Sequence, residues 1–474
     1  MNVLGIPGVD TVLEQPAIGS LVQEMPREVV VQSIRECLAE LREARSPSDA
    51  GPPASAAATV ALVVDRVLAR LRPGPHPSLR RVVNATGVIL HTNLGRSPLS
   101  AEVCEAIVGV ARGYCNLEVD AATGERSKRE AHVAGLLARL AGAEAATVVN
   151  NNAAAVVLAL TALAAGQRVI CSRGELVEIG GSFRLPEIIA CSGAQMAEVG
   201  TTNHTRLGDY ERVLTADTAA ILKIHPSNFR VVGFTSDVAL RPLAELARRS
   251  GALLLFDAGS GLVLPQDGPP FTDEPVVRQA IADGADVVTF STDKLLGGPQ
   301  GGAIVGRRPL IERISRHPLK RALRVGKLTL AGLEAALRGH LRRGHGHSSM
   351  VKRLIGRSAA ELGSEAAALA DAIQAAAPAW KVTVEPDEAS VGGGSLPGET
   401  IPTTVVWLEA PAHGPDALDQ AMRANEPPIF GRFRRGCFGL DLRTILPGDA
   451  NDIVACLRRL AASPATRNPE PGTE

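Results

Sequence analysis

Between Val82 and Gly306 the sequence alternates short apolar runs with longer helical stretches, and this alternation restricts the fold more than any other feature. The runs are Ala146–Asn150, Arg168–Ser172, Ala219–His225, Ala252–Asp257, Asp286–Phe290 and Gly302–Gly306. Each is nearly continuous in apolar character, as expected of strands covered on both faces. Between them lie stretches of helical composition such as Ala153–Gly166 and Pro242–Gly251. The pattern predicts an α/β domain with a mostly parallel central sheet. In such sheets ligands gather at the carboxyl ends of the strands.

Two residues at predicted strand ends carry chemistry. Lys294 follows the run ending at Phe290 and leads at once into the turn Leu295-Leu296-Gly297-Gly298-Pro299-Gln300-Gly301-Gly302. Asp257 ends the run Ala252–Asp257 and precedes Ala258-Gly259-Ser260-Gly261. A lysine between an apolar strand and a glycine turn suits the Schiff-base amine of a pyridoxal phosphate enzyme. A buried aspartate suits the cofactor's ring nitrogen, whose proton lets the ring act as an electron sink. Burial would depress the Lys294 amine and favour its use as nucleophile and base. Lysines are few (Lys128, Lys223, Lys294, Lys320, Lys327, Lys352 and Lys381), and Lys223 is the one rival on an apolar strand. It lacks the glycine turn. Asp257 could equally be an Asx-turn residue capping Gly259.

The stretch Val149-Asn150-Asn151-Asn152-Ala153 is a strand end entering an alanine-rich helix. Free N–H groups there favour a phosphate, with Asn151 and Asn152 as extra donors; ordinary capping by asparagine is the competing reading. Ser291 and Thr292 could reach the same phosphate. Asn93-Leu94-Gly95-Arg96 reads as a loop presenting Arg96. His91 and His225 read as hydrogen-bonded structural groups.

Composition sets outer limits. A chain of 474 residues, 45% hydrophobic, suggests two or three domains, and a formal net charge of +0 predicts no polyanion partner from global charge. Seven scattered cysteines without a CxxC pair point to a reducing compartment and to neither zinc nor disulfides. No signal peptide and no membrane span are read, so the cytoplasm is the expectation. Charge is uneven, however. Residues 307–357 hold 14 Arg and Lys, opposed only by Glu312 and Glu334, with His317, His340, His345 and His347 in the same stretch. Such an excess suits phosphate or nucleic acid; a solvated helix face is the alternative. Arg321 and Arg324, three apart, would share a helix face and could grip a tetrahedral oxyanion.

Domain boundaries follow from these changes in character. Residues 1–75 read as a helical N-terminal domain plus a Pro/Ser/Ala-rich linker, 76–330 as the large α/β domain, 331–462 as a small α+β domain, and 463–474 as a disordered tail.

With these residues in hand, the chain resembles the bacterial L-seryl-tRNA(Sec) selenium transferases, or selenocysteine synthases. The markers span most of the chain: IPGVDTVLEQP, RRVVNATGVILHTNLGRSPL, CNLEVDAATGERSKR, SRGELVEIGGSFRLPEI, IHPSNFRVVGFT, FDAGSG, STDKLLGGPQGG, VGGGSLPGETIPT and LDLRTILP. The resemblance implies a fold-type-I, aspartate aminotransferase-like enzyme. It would convert L-seryl-tRNA(Sec) to L-selenocysteinyl-tRNA(Sec) with selenophosphate, using pyridoxal 5'-phosphate and an aminoacrylyl intermediate. It further implies Lys294 as the Schiff-base lysine with Asp293 as the neighbouring acid, and Arg96, Arg321 and Arg324 as receivers of selenophosphate. It implies a homodecamer, a pentamer of dimers with sites at dimer interfaces, and an N-terminal domain that grips tRNA. Residues 1–50 are acidic, with eight Asp and Glu against four Arg, so RNA recognition there would rest on shape and polar contacts. Hydroxide leaves poorly, so Asp293, or a water it orders, is expected to assist. Glu178, His204 and His225 are all open as the group covering the cofactor's face.

Two rivals differ in class. A small-molecule pyridoxal enzyme of the same superfamily would be expected to lack the N-terminal module. A non-catalytic RNA-binding scaffold would have no need of Lys294 and Asp257.

Overall fold

The computed structural model describes residues 6–44, 56–71, 77–179, 183–266, 268, 270–342, 349–411, 414–434 and 436–462. Residues 463–474, read above as a tail, most of the linker, and Arg343, His345 and His347 of the basic stretch lie outside the described residues. The chain forms two compact units, Met1–Arg81 and Val82 onward.

The first unit is built from four helices, α1 (Val9–Leu13), α2 (Pro16–Glu24), α3 (Arg27–Ala44) and α4 (Ala56–Leu71). On α3 the buried residues Val30, Ile34, Cys37, Leu38 and Leu41 recur at helical spacing. They meet Val12, Ile18 and Leu21 from α1 and α2, and Val63 and Val67 from α4. The remaining faces carry the unit's charge, including an Arg70–Glu40 pair at 2.7 Å.

In the second unit, α5 (Ala101–Ala111) and α6 (Ala131–Ala141) lead into a seven-stranded sheet. Its strands are β1 (Ala145–Val149), β2 (Arg168–Ser172), β3 (Gln195–Val199), β4 (Thr218–Ile224), β5 (Leu253–Gly259), β6 (Val287–Ser291) and β7 (Gly302–Gly306). Their spatial order is β1-β7-β6-β5-β4-β2-β3. Alternate residues enter different cores. Phe256, Val288 and Phe290 pack with α6 on one face. Leu222, Leu255 and Val287 pack on the other with α7 (Asn152–Ala164). Two buried faces explain why these strands read as unbroken apolar runs.

The sheet is mostly parallel, the exception being β7, which is antiparallel to both β1 and β6. Only the short segment Thr292–Gly301 joins β6 to β7, too short for the crossover that a parallel pair requires. A departure from the expectation is β3, an edge strand whose sequence, Gln-Met-Ala-Glu-Val, is half exposed and carries no apolar run.

Beyond the sheet, α8 (Lys327–Leu341) packs against α5 and α6. The chain then builds a four-stranded antiparallel sheet from β8 (Lys381–Ser390), β9 (Thr400–Glu409), β10 (Arg432–Arg434) and β11 (Cys437–Asp441), ordered β8-β9-β11-β10. Its core joins Val406, Phe438 and Leu440 to Leu362, Leu369 and Leu457 of two covering helices. Between β8 and β9 runs a glycine-rich loop, Gly392–Gly398, that reaches the large sheet.

Gly302 lets β7 approach the start of α7. A Cβ there would lie 2.1 Å from the Asn151 carbonyl oxygen and 2.8 Å from the Asn152 nitrogen. Because both obstacles are backbone, Gly302→Ala should cost about 1–3 kcal/mol or more, as overpacking does, measurable by chemical denaturation. A stability equal to the parent's would show that the strand can withdraw freely.

Candidate active site

The turn after β6 is fixed by its own backbone. The Thr292 N–H donates to the Gly301 carbonyl, Gly298 to Thr292 and Gly297 to Lys294, each at 2.9 Å. The Thr292 hydroxyl donates to the Pro299 carbonyl at 2.5 Å, which uses its proton inside the turn. Gly297 has φ +78°, and a Cβ on it would meet the Ser349 Cβ at 2.3 Å, so glycine is required there.

From this turn Lys294 points inward and is 4% exposed. Its Nζ donates to the Gly394 carbonyl at 3.1 Å. Burial pushes the amine below the ordinary lysine value, and the Arg96 guanidinium acts in the same direction. The carboxylates of Asp257, Asp293 and Glu274 oppose them.

Asp257, at the end of β5, is buried on the α7 face of the sheet. Its Oδ1 accepts from Asn152 Nδ2 at 2.8 Å and Thr289 Oγ1 at 3.0 Å. It also accepts from the Gly259 N–H at 3.3 Å, so the Asx-turn contact exists alongside the others. Burial pushes this carboxyl up, against those hydrogen bonds and the Lys294 charge.

Asn151 caps α7, its Oδ1 accepting from the Ala154 N–H at 2.8 Å. Asn152 faces the Asp257 carboxylate, not outward as an extra phosphate donor. Ser291 is buried at the end of β6, and its carbonyl lies so close to Gly261 that a Cβ there would stand 2.3 Å away. Arg96 has the left-handed φ of 60°. Its Nη1 donates to Asp293 Oδ2 at 2.9 Å, and the side chain lines a cavity of about 390 Å³ with Thr92, Ser227, Asn228 and Gly392–Gly394.

The structure thus brings Lys294, Asp293, Arg96, Asp257 and Asn152 together. Arg321 and Arg324 are different. Arg321 lies in the short helix Leu319–Ala322, and Arg324 lies beyond its end, so the two do not share a helix face. Among the described residues no hydrogen bond or ion pair joins either to Lys294, Asp257 or Arg96. The segment does touch the start of the Asn150–Asn152 stretch, where the Asn150 N–H donates to the Leu323 carbonyl at 3.0 Å.

Part of the basic stretch is paired within the unit. Arg307 pairs with Asp286 at 2.9 Å, Lys320 with Glu130 at 2.6 Å and Arg338 with Glu334 at 2.6 Å. Lys223 is likewise committed, to Glu175 at 2.8 Å and Asp237 at 3.1 Å. Of the three residues open for the cofactor's face, Glu178 is exposed and paired with Arg184 at 2.9 Å. His204 is half-buried in a bridge with Ser236. His225 stands at the site, its N–H donating to the Asp257 carbonyl at 2.9 Å.

Does this pocket suit pyridoxal phosphate? Buried polar atoms are nearly always paired. Here Asn152 Oδ1, His225 Nε2, Ser227 Oγ, Ser260 Oγ, Glu274 Oε1 and Ser395 Oγ are buried without a partner. These residues flank Lys294 and Asp257 at the strand ends or lie in the loops beside them. An amine, a carboxyl, a helix N-terminus and a surplus of unpaired polar atoms fit a polar aldehyde cofactor. Glu274, Ser227 and the Gly392–Gly398 loop escaped the reading of isolated motifs. Three successive glycines were the available signal, because they mark a close backbone approach.

Residues 82–446 match a family model described as L-seryl-tRNA selenium transferase, and residues 5–42 one described as selenocysteine synthase N terminal. An L-seryl-tRNA(Sec) selenium transferase of Geotalea uraniireducens is 45% identical over 458 residues, covering 96% of this chain and 98% of its own. Another, from Hyphomonas neptunium, is 44% identical over 460 residues, covering 96% and 98%. Among solved structures, that of a D-glucosaminate-6-phosphate ammonia-lyase superposes with TM-score 0.57 at 24% identity. It covers 81% of this chain and 96% of its own, and the likeness is one of fold. The architecture is that of fold-type-I pyridoxal phosphate enzymes, with a mostly parallel central sheet.

The electrostatics generate two expectations. An amine attacks only when neutral, so capture of pyridoxal phosphate at Lys294 should rise with pH and level off below the ordinary lysine value of about 10.4. Arg96→Ala should move that profile to higher pH, as read from borohydride-fixed cofactor on the Lys294 peptide. A carboxyl raised in the folded chain contributes stability while protonated and loses it as pH rises through the folded value. Asp257→Asn should therefore raise the melting temperature of the cofactor-free chain at neutral pH. The gain should vanish as pH falls to the unfolded carboxyl value of about 3.9.

Proposed function

Because the chain belongs to the L-seryl-tRNA selenium transferase family, we propose that its reaction turns on the Lys294 amine in the pocket between β5, β6 and the glycine-rich loop. The enzyme is pyridoxal phosphate-dependent and converts L-seryl-tRNA(Sec) to L-selenocysteinyl-tRNA(Sec). The observation that carries the residue assignment is the convergence, in one buried pocket, of a depressed amine and an elevated carboxyl.

Lys294 would hold the cofactor through its amine, and Asp257 would face the ring nitrogen. Asn152 and Thr289 fix that carboxyl in place. Asn151, Ser291 and the first turn of α7 would receive the phosphate, where the helix N-terminus favours an anion. When bound, the cofactor supplies an electron sink for the charge left at the seryl Cα.

The side chains then divide the proton work. Burial and Arg96 both disfavour charge on the Lys294 amine, which suits it to remove the Cα proton. Departure of the β-hydroxyl needs a proton, and Asp293, held by Arg96 at 2.9 Å, is assigned to deliver it directly or through a water. Arg96 would also receive selenophosphate in the cavity it lines, its guanidinium matching a tetrahedral anion. Arg321 and Arg324 serve the same anion in this reading. As the family resemblance implies, the chain is assigned to a homo-oligomer, a pentamer of dimers, with sites completed between subunits. The N-terminal unit is assigned to the tRNA, with shape and polar contacts dominant. No helix among the described residues is long and apolar enough to cross a membrane. With tRNA as substrate, the cytoplasm is the compartment proposed.

The test is selenocysteine formation on serine-charged tRNA(Sec) by purified protein. Lys294→Ala should lower turnover by about 10²–10⁴ or more, the scale of losing a positioned base and nucleophile. It should also remove the absorbance band near about 420 nm. A variant that keeps turnover ends the assignment. For Asp293→Asn turnover should fall; weaker binding with unchanged turnover would refute its role as acid.

A further inference from the structure

One buried carboxylate beside this pocket is not used by the reaction as described. The Glu274 side chain is 0% exposed. Its Oε2 accepts the Leu396 N–H at 2.9 Å and stands 3.5 Å from His225 Nε2. Glu274 Oε1 and His225 Nε2 have no hydrogen-bond partner. A buried charge with so few hydrogen bonds is costly, and stability alone would be better served by an apolar residue.

What the carboxylate holds is a strained segment. Gly392, Gly393 and Gly394 have φ of 71°, 58° and 79°, and Leu396 has 52°. The left-handed region suits glycine but is costly for a leucine, and such strain persists only where surroundings enforce it. The hydrogen bond from Leu396 to Glu274 is such an enforcement. Two residues earlier in the same segment, the Gly394 carbonyl accepts the Lys294 amine at 3.1 Å. Fit around it is tight, since a Cβ on Gly394 would lie 2.8 Å from Lys294 Nζ and 3.4 Å from Ser227 Oγ. Glu274 therefore links His225, at the end of β4, to the loop that grips the amine.

We propose that Glu274 is a positioning residue: it clamps the Gly392–Leu396 segment toward His225 and so sets where the Gly394 carbonyl holds the Lys294 amine. This rests on the reading that Lys294 is the reacting amine. Release of the clamp lets the loop drift, leaving Lys294 in several orientations, and a loosely held amine reacts more slowly even when the substrate binds as before.

Three variants test this. Glu274→Ala removes the acceptor, Glu274→Leu fills the space without an acceptor, and Glu274→Gln restores an acceptor for the Leu396 N–H. Hydrogen exchange of the 391–398 peptide is measured on the cofactor-free chain. Cofactor capture at Lys294, kcat and KM are measured on the same preparations. Ala and Leu should exchange faster by about tenfold or more, the size expected for one lost buried hydrogen bond. They should also capture pyridoxal phosphate more slowly and lower kcat about tenfold with KM little changed; Gln should recover most of each. Should Ala fail to fold, the Leu and Gln pair carries the comparison. Parental exchange in Ala or Leu overturns the clamp, and faster exchange with unchanged capture and kcat overturns its role in positioning. If the parent chain never captures cofactor at Lys294, the functional reading itself fails and takes this role with it. That outcome is distinguishable because the exchange result needs no cofactor.

Discussion

Everything in the pocket depends on removing one amine from water. Lys294 is buried at the end of β6, where charge is disfavoured, yet it stands among Asp257, Asp293 and Glu274, which favour it. Arg96 tips the balance the other way while occupying Asp293. Such a compromise yields an amine that is available without being unpaired, its proton directed at the Gly394 carbonyl. The adjoining carboxyl experiences the same desolvation with the opposite sign.

The sheet explains why these groups meet. Lys294 and Asp257 belong to neighbouring strands, and alternation along β5 turns Asp257 toward α7 once Phe256 has been given to the opposite core. The α7 N-terminus is brought close by the bare backbone of Gly302. A third wall, the glycine-rich loop, arrives from the smaller sheet more than ninety residues later in the chain. Within the basic stretch, Arg307, Lys320 and Arg338 are paired locally with Asp286, Glu130 and Glu334.

Much of this could be read from residues alone, for identifiable reasons. Doubly covered strands leave apolar runs, so the four adjacent parallel strands β2, β4, β5 and β6 were visible, whereas the edge strand β3 is half exposed and left none. The scarcity of lysine isolated Lys294, and the glycines after it revealed a constrained turn. Which strand breaks the mostly parallel pattern, β7, was not legible, because an apolar run does not record how it is connected. Asn152 was placed at the phosphate by its position before a helix, but its rotamer directs it to Asp257. Glu274 left no trace, being one acid in a proline-rich loop whose importance arises from a partner 122 positions away.

The antiparallel return of β7 has one more consequence. Ser291 is registered against Gly302, so both feet of the reactive turn stand in the same sheet, side by side. A loop between separate layers can absorb an inserted or deleted residue by swinging. This one has fixed footings in adjacent strands, so its length is as constrained as its sequence. Drift among descendants of this sequence should accumulate as substitutions around the turn and as length changes elsewhere on the surface.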